Sequence, residues 1–192
     1  MQVSRETLIE RYFPDIDRVH AYAAFLESAG IERGLIGPRE ADKIWDRHIF
    51  NCLPVTSLLK EGSIVFDIGS GAGLPGIVIA LARPDLKVTL IEPLQRRVDF
   101  LEEATAGTGI TVIRGQAQSV KKSADYVTAR AVAPLEKLKK ISWHLIKPGG
   151  SLLAMKGESA AAEMVGVKNA VLHEIELEGI GLGRIIELRK PS

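Results

Sequence analysis

The run Val65-Phe66-Asp67-Ile68-Gly69-Ser70-Gly71-Ala72-Gly73-Leu74-Pro75-Gly76 carries the pattern in this chain best suited to chemistry. An apolar run ends at Asp67-Ile68, glycines alternate at Gly69, Gly71 and Gly73, and Pro75 takes a favoured first helical position. Such a turn lets a ligand lie against bare backbone. In doubly wound sheets, ligands collect beyond the carboxyl ends of strands, at turns of this kind. Glu92 ends the next apolar run, 23 residues after Gly69. An acid there can accept hydrogen bonds from both hydroxyls of a ribose. Arg130 follows the apolar run Tyr126-Val127-Thr128-Ala129. A guanidinium at a strand end asks for a carboxylate, a phosphate or a ligand, because burying it unpaired is costly.

Two cofactor readings compete for the loop, beside the plain reading of a tight strand-to-helix turn. Gly71-Ala72-Gly73-Leu74-Pro75-Gly76 matches the dinucleotide pattern GxGxxG, a weak signal alone. The longer Asp67-x-Gly69-x-Gly71-x-Gly73 matches the S-adenosylmethionine loop of class I methyltransferases. Asp67 would orient the loop amides or approach the ammonium group of the methionine. The chain has no second large substrate domain and no Tyr-x-x-x-Lys pair for hydride chemistry. The methyl donor is therefore favoured over a nicotinamide.

The elements that must position these residues divide in texture. Residues 1–60 read as helices only, a helical extension: 4–12, 15–29, 38–48 and 51–60. From 61 to 192 strands and helices alternate. Strands are expected at 64–68, 87–92, 111–114, 126–129, 151–155, 171–177 and 184–188. Helices are expected at 75–82, 95–106, 134–146 and 158–169, with Pro148-Gly149-Gly150 as a turn. Alternation of this kind predicts a Rossmann-like α/β unit, with a mostly parallel seven-stranded sheet and helices on both faces. The last pair of strands is close enough for a hairpin through Gly179-Ile180-Gly181-Leu182-Gly183, so one of them should be antiparallel.

Composition narrows the class. The 192 residues are 46% apolar and 26% charged, with a formal net charge of +1. Bulk positive charge is thus excluded as the main grip on nucleic acid, while a local basic face is not. The basic groups are Arg96-Arg97, Lys121-Lys122, Lys137 with Lys139-Lys140, and Arg189-Lys190. A single cysteine, Cys52, excludes an internal disulfide and a Cys-based zinc site, and the four histidines lack metal-binding spacing. The charged opening MQVSRETLIERYF is not a signal peptide, and no apolar run approaches a membrane span. The expectation is a cytoplasmic monomer without metal.

The chain resembles the glucose-inhibited division protein B family, GidB or RsmG, of bacterial small-subunit ribosomal RNA guanine-N7 methyltransferases. The resemblance rests on Trp45-Asp46-Arg47-His48-Ile49, the run Asp67 to Gly76, Glu92-Pro93-Leu94-Gln95-Arg96-Arg97, Ala129-Arg130-Ala131-Val132-Ala133 and Met155-Lys156-Gly157. It implies that Gly69 and Leu74 contact S-adenosylmethionine, that Ala117 and Gln118 lie against its adenine, and that Arg130 stands beside donor and base. Gln118 stands where the family usually carries an acid, and its amide can still hydrogen-bond an adenine edge. Ser28-Ala29-Gly30-Ile31-Glu32 replaces the family's usual Trp-Asn. Arg47, His48 and Lys156 are candidate contacts for 16S ribosomal RNA or its ribonucleoprotein particle, each weighed against a helix-end or rim charge. Guanine N7 carries a free lone pair, so Arg130 is expected to position rather than to move protons, and to border the cleft rather than the core. A small-molecule methyltransferase and a non-catalytic S-adenosylmethionine-binding regulator are the alternatives.

Overall fold

The computed structural model describes residues 3–192; Met1 and Gln2, within the expected 1–60 extension, lie outside the described residues. Seven strands form one sheet: β1 (Ile64–Ile68), β2 (Lys87–Glu92), β3 (Thr111–Arg114), β4 (Ala124–Arg130), β5 (Ile146–Lys156), β6 (Ala170–Leu177) and β7 (Gly181–Arg189). Their order is β3-β2-β1-β4-β5-β7-β6. The strands β1 to β5 run parallel, and β7 enters antiparallel between β5 and β6. The order reverses between β1 and β4, so a crevice opens at their carboxyl ends. Register sets Asp67 beside both Leu90 and Thr128. Glu92 and Arg130 end the strands on either side.

Side chains alternate across the sheet and feed two apolar layers. Val65, Val88, Leu90, Tyr126, Leu153 and Ile185 join the layer under α1 (Arg5–Tyr12), α2 (Ile16–Phe25), α3 (Gly76–Ala82) and α4 (Gln95–Ala104). Phe66, Ile68, Ile91, Val127, Leu152 and Ile186 join the other layer, under α5 (Leu135–Ser142) and the short α6 (Ala160–Glu163). The extension shares the first layer through Val19, Tyr22, Leu26, Ile44, Ile49 and Leu53, so it is fused to the sheet face by burial.

The extension is helical but not as four regular helices. After α2 the chain widens into a π turn over Leu26–Gly30. The stretch expected as one helix over 38–48 is a 3₁₀ piece, Pro38–Lys43, followed by a π turn, Ile44–Ile49. Two further 3₁₀ pieces, Phe50–Cys52 and Pro54–Leu58, follow. Pro54 has no amide hydrogen to continue a helix.

Three other expectations need correction. Pro148-Gly149-Gly150 lies inside β5, where the pairing steps from Ala124↔Ile146 to Tyr126↔Ser151 and the extra residues bulge. The alanine-rich 158–169 helix shrinks to Ala160–Glu163, with Gly166 and Asn169 both at positive φ. Only Ala160 in it is buried, so no apolar face rewards a longer helix. The final glycine run bends only around Glu178-Gly179-Ile180, because Leu177 already pairs with Gly181.

Candidate active site

The glycine loop is built to leave one side bare. Gly69, Gly71 and Gly73 have φ of 65°, 57° and 92°, a region that side chains disfavour. A Cβ at Gly69 would stand 2.8 Å from Cγ2 of Val132, and one at Gly73 would collide with Ile77 and crowd the Tyr22 hydroxyl. At Gly71 a Cβ would meet only the Gly69 carbonyl, at 3.8 Å, so this α-carbon faces open space. The Gly69 amide donates to the Ile91 carbonyl at 2.8 Å and ties the loop to β2. The helix α3 begins at Gly76, one residue later than expected, after a cis Leu74-Pro75 bond.

Asp67 and Glu92 both hold this loop. Asp67 is fully buried; its Oδ2 accepts from the Gly76 amide at 3.2 Å and its Oδ1 from the Thr128 hydroxyl at 3.0 Å. Burial pushes its carboxyl up to about 7, against the pull of those hydrogen bonds. The carboxylate therefore faces the start of α3 beneath the loop and does not line the crevice, unlike the ammonium-binding role considered for it. Glu92 is 1% exposed, and its Oε2 accepts from the Gly71 amide and its Oε1 from the Leu94 amide, each at 3.0 Å. Arg97 approaches Oε2 at 3.8 Å. Two backbone donors leave lone pairs on both oxygens for further acceptance.

Arg130 closes the opposite side. Its Nη1 donates to the His48 carbonyl at 3.3 Å and to Cys52 Sγ at 3.2 Å. Its Nη2 donates to the Arg47 carbonyl at 3.4 Å and faces His48 Nδ1 at 3.1 Å. The guanidinium thus finds helix-end carbonyls in place of a carboxylate, which are favourable partners for a cation. An arginine offers only donors, so His48 Nδ1 must accept, and Nε2 then carries the proton toward Glu40 Oε2 at 3.2 Å. Burial, and next the charge of Arg130, lower the His48 pKa. The same Glu40 accepts from Arg47 Nη1 at 2.9 Å. The Arg130 side chain therefore fastens β4 to the extension, more than a residue merely bordering a cleft would.

Two buried groups complete that joint. The Tyr22 hydroxyl donates to the Ala72 carbonyl at 2.8 Å, so α2 holds the glycine loop directly; burial raises its pKa well above the usual value. The Cys52 thiol donates to the His48 carbonyl at 3.0 Å, and burial pushes it up to about 11.

The crevice has a volume of about 580 Å³, with Gly69, Gly71, Leu74, Glu92, Arg130 and His48 among its lining residues. Leu35 and Ile36 form part of its wall, and both amides bond the Gly30 carbonyl at the end of the π turn, at 2.8 and 3.0 Å. Gly73, expected at the cofactor, is not among the lining residues, because its α-carbon faces Ile77 and the Tyr22 hydroxyl. Ala117 and Gln118 sit in a 3₁₀ turn after β3, outside the crevice lining; the chain enters that turn from Gly115, whose amide bonds the Glu92 carbonyl at 3.1 Å. Arg47 is on the rim with its side chain 60% exposed. Lys156 is not an open rim charge: its side chain is 8% exposed, and its ammonium bonds Glu163 at 2.6 Å and the Ala133 carbonyl at 2.9 Å. It braces the Ala131–Pro134 turn against α6.

A larger hollow, about 1010 Å³, lies at the amino-terminal ends of β1, β2 and β3, away from Gly71, Glu92 and Arg130. The smaller crevice is the candidate site, because the loop, the buried acid and the clamp converge there. Sequence reasoning missed Glu40, Leu35, Ile36 and the Tyr22 hydroxyl. Their partners are distant in sequence, so local spacing carried no signal for them.

Strand order, glycine loop and buried acid at the end of β2 define a Rossmann-like, S-adenosylmethionine-dependent methyltransferase. Solved structures share the fold at low identity. A methyltransferase from Pyrococcus furiosus aligns with a TM-score of 0.58 and 16% identity, covering 72% of this chain and 80% of that one. The family model GidB, rRNA small subunit methyltransferase G, matches residues 15–179. The ribosomal RNA small subunit methyltransferase G of Mycolicibacterium gilvum is 50% identical over 183 residues, covering 90% of this chain and 81% of the relative. That of Rhodococcus jostii is 51% identical over 168 residues, covering 84% and 72%. The chain belongs to the GidB family and is a methyltransferase of small-subunit ribosomal RNA.

Proposed function

We propose that this crevice transfers a methyl group from S-adenosylmethionine to N7 of a guanine in small-subunit 16S ribosomal RNA. The observation that carries the N7 reading is the state of the ionisable groups lining the crevice. Both Glu92 oxygens already accept backbone amides, and His48 has one ring nitrogen facing Arg130 and the other facing Glu40. Neither is a free base aimed at the crevice. Guanine N7 attacks with a lone pair it already has, so the site needs no proton acceptor.

The residues fit the donor. The open face of Gly71 leaves room for a ligand against backbone, and Glu92 retains acceptor capacity for ribose hydroxyls. Gly69 and Leu74 would contact the donor from the loop, with Ala117 and Gln118 toward its adenine. The donor supplies a methyl group on a positively charged sulfur. The protein's share is alignment and exclusion of water, by the loop on one side and the Arg130–His48 joint on the other. The Arg130 cation is shared among carbonyls, which suits positioning and not proton transfer. Asp67 acts through the loop it holds.

Arg47 is the better RNA contact of the basic candidates. Its ion pair with Glu40 is exposed and weak, so it can be exchanged for a phosphate. His48 forms the wall beside the base. The enzyme would act as a cytoplasmic monomer, with residues 1–60 packed as an extension on the 61–192 core. No described helix is long and apolar enough to cross a membrane.

The test is transfer of labelled methyl groups to undermethylated small-subunit RNA, naked and as particle, followed by nucleoside analysis. Label in 7-methylguanosine is expected. Label that survives ribonuclease in a small-molecule fraction would favour the small-molecule reading. Tight donor binding without transfer to any ribosomal fraction would favour the regulator.

A further inference from the structure

We propose that Glu40 is a positioning residue for methyl transfer: acting through the His48 ring, it holds the Arg130 guanidinium in place at the crevice. The inference rests on the role given to Arg130 above. It extends that role to an acid that is not itself among the residues lining the crevice.

Donors and acceptors carry the argument. The two terminal nitrogens of Arg130 bear four N–H groups and meet four acceptors: the Arg47 and His48 carbonyls, Cys52 Sγ and His48 Nδ1. A carbonyl oxygen accepts whatever its surroundings. His48 Nδ1 accepts only while the ring proton sits on Nε2; in the other tautomer, and in the imidazolium, it becomes a donor. A donor there would face the donors of Arg130, and the guanidinium would have to turn away. Glu40 Oε2 stands 3.2 Å from Nε2, and a carboxylate only accepts, so it keeps the proton on that nitrogen.

The fold fixes this acid in place. The Glu40 amide donates to the Gly37 carbonyl at 2.9 Å, within the 3₁₀ piece Pro38–Lys43. That piece runs from Ile36, buried in the crevice wall, to Ile44, buried in the core. An ion pair that served Arg47 alone would need one oxygen. Here Oε1 takes Arg47 Nη1 at 2.9 Å, and Oε2 is left for the ring. The charged groups facing the His48 ring are Glu40 from the 3₁₀ piece, Arg47 from its own turn and Arg130 from β4. The two cations disfavour the imidazolium and Glu40 favours it, so loss of the acid lowers the His48 pKa further.

The experiment uses the full chain in methylation of small-subunit RNA, with thermal melting as a fold control. Glu40→Gln should lower kcat roughly tenfold, because a glutamine NH₂ group no longer excludes the wrong tautomer. KM for RNA should not rise, because Arg47 is released from its ion pair. His48→Asn keeps an acceptor at the Nδ1 position and carries nothing at the Nε2 position. In that background Glu40→Gln should change kcat by less than about twofold. NMR of the native chain should show the Nε2–H tautomer of His48 at neutral pH, a result that does not depend on any variant folding. The titration midpoint of His48 should move down in Glu40→Gln. A wild-type kcat in Glu40→Gln, a loss of similar size that persists beside His48→Asn, a native Nδ1–H ring or an unmoved midpoint would each overturn the proposal. So would a raised KM for RNA at unchanged kcat, which would leave Glu40 as a partner of Arg47 alone. An Arg130→Ala chain working at the wild-type rate would instead overturn the reading of Arg130 on which the proposal depends.

Discussion

Replacing Glu92 by glutamine separates the two tasks of the buried acid. In the native chain one carboxylate oxygen accepts from Gly71 N and the other from Leu94 N, each at 3.0 Å. Glutamine keeps the shape but offers one oxygen and one NH₂ group. Whichever way the amide turns, a donor faces a backbone donor, and one amide loses its partner. A buried donor left unsatisfied costs about 1–3 kcal/mol. For a chain of this size each kcal/mol moves Tm by about 2–4 °C, so the ligand-free variant should melt roughly 5 °C lower. The second task is ribose binding. Loss of charge-assisted acceptance is worth about 1.5 kcal/mol or more, close to a tenfold weaker donor. A ligand present at 100 times its Kd adds about 2.7 kcal/mol of stability, and a tenfold weaker one adds about half of that. Melting with and without S-adenosylmethionine, together with calorimetry, reads both losses on one sample. A variant with unchanged ligand-free Tm would refute the loop-anchoring argument. One with unchanged donor affinity would refute the ribose role.

Arg130→Ala should lower methyl transfer by at least about 10²-fold and also lower Tm, because the side chain joins β4 to residues 47–52. Arg130→Lys should restore only part of either, since one ammonium cannot span the Arg47 and His48 carbonyls as the planar fork does; full rescue in single-turnover assays would mean that only the charge matters. Gly73→Val should abolish folding or donor binding through its collision with Ile77 and its positive φ, whereas Gly71→Val should fold less stably and lose donor binding selectively. A folded Gly71→Val chain with native donor affinity, measured by calorimetry, would remove this loop from the site. Asp67 predicts a pH dependence. Its folded pKa of about 7 exceeds the unfolded value near 3.9, so the folded chain holds an extra proton between them. Its contribution to stability is full below about pH 4 and is lost as pH rises toward 7. Asp67→Asn keeps acceptor and donor positions for Gly76 and Thr128, so denaturant unfolding should be flatter with pH over that window than in the wild type. The difference between the two chains cancels the opposing slope from His48, whose pKa is lowered. Parallel pH profiles would show that Asp67 titrates normally. Asp85, held down near 2 chiefly by Arg83, acts only below this window.

Much of this protein was legible in one dimension because its signals are local. The strands at 64–68, 87–92 and 111–114 begin and end where the apolar runs do. The alternating glycines need positive φ whatever surrounds them, so their loop announces itself. Residues at the ends of parallel strands, Glu92 and Arg130, converge because the sheet order reverses between β1 and β4. What tertiary structure alone decided are partnerships between residues far apart in the chain. Lys156 reads as a rim charge until α6 brings Glu163 against it. Asp67 reads equally as an anchor of the loop amides and as a ligand contact until α3 turns its first amide onto the carboxylate. Arg130 reads as a cation awaiting an anion until the π turn at 44–49 presents its carbonyls. Each of these side chains has one residue type compatible with several partners. Its choice is set by burial, which makes an unsatisfied polar group costly, and only the packed fold determines which partner is within reach.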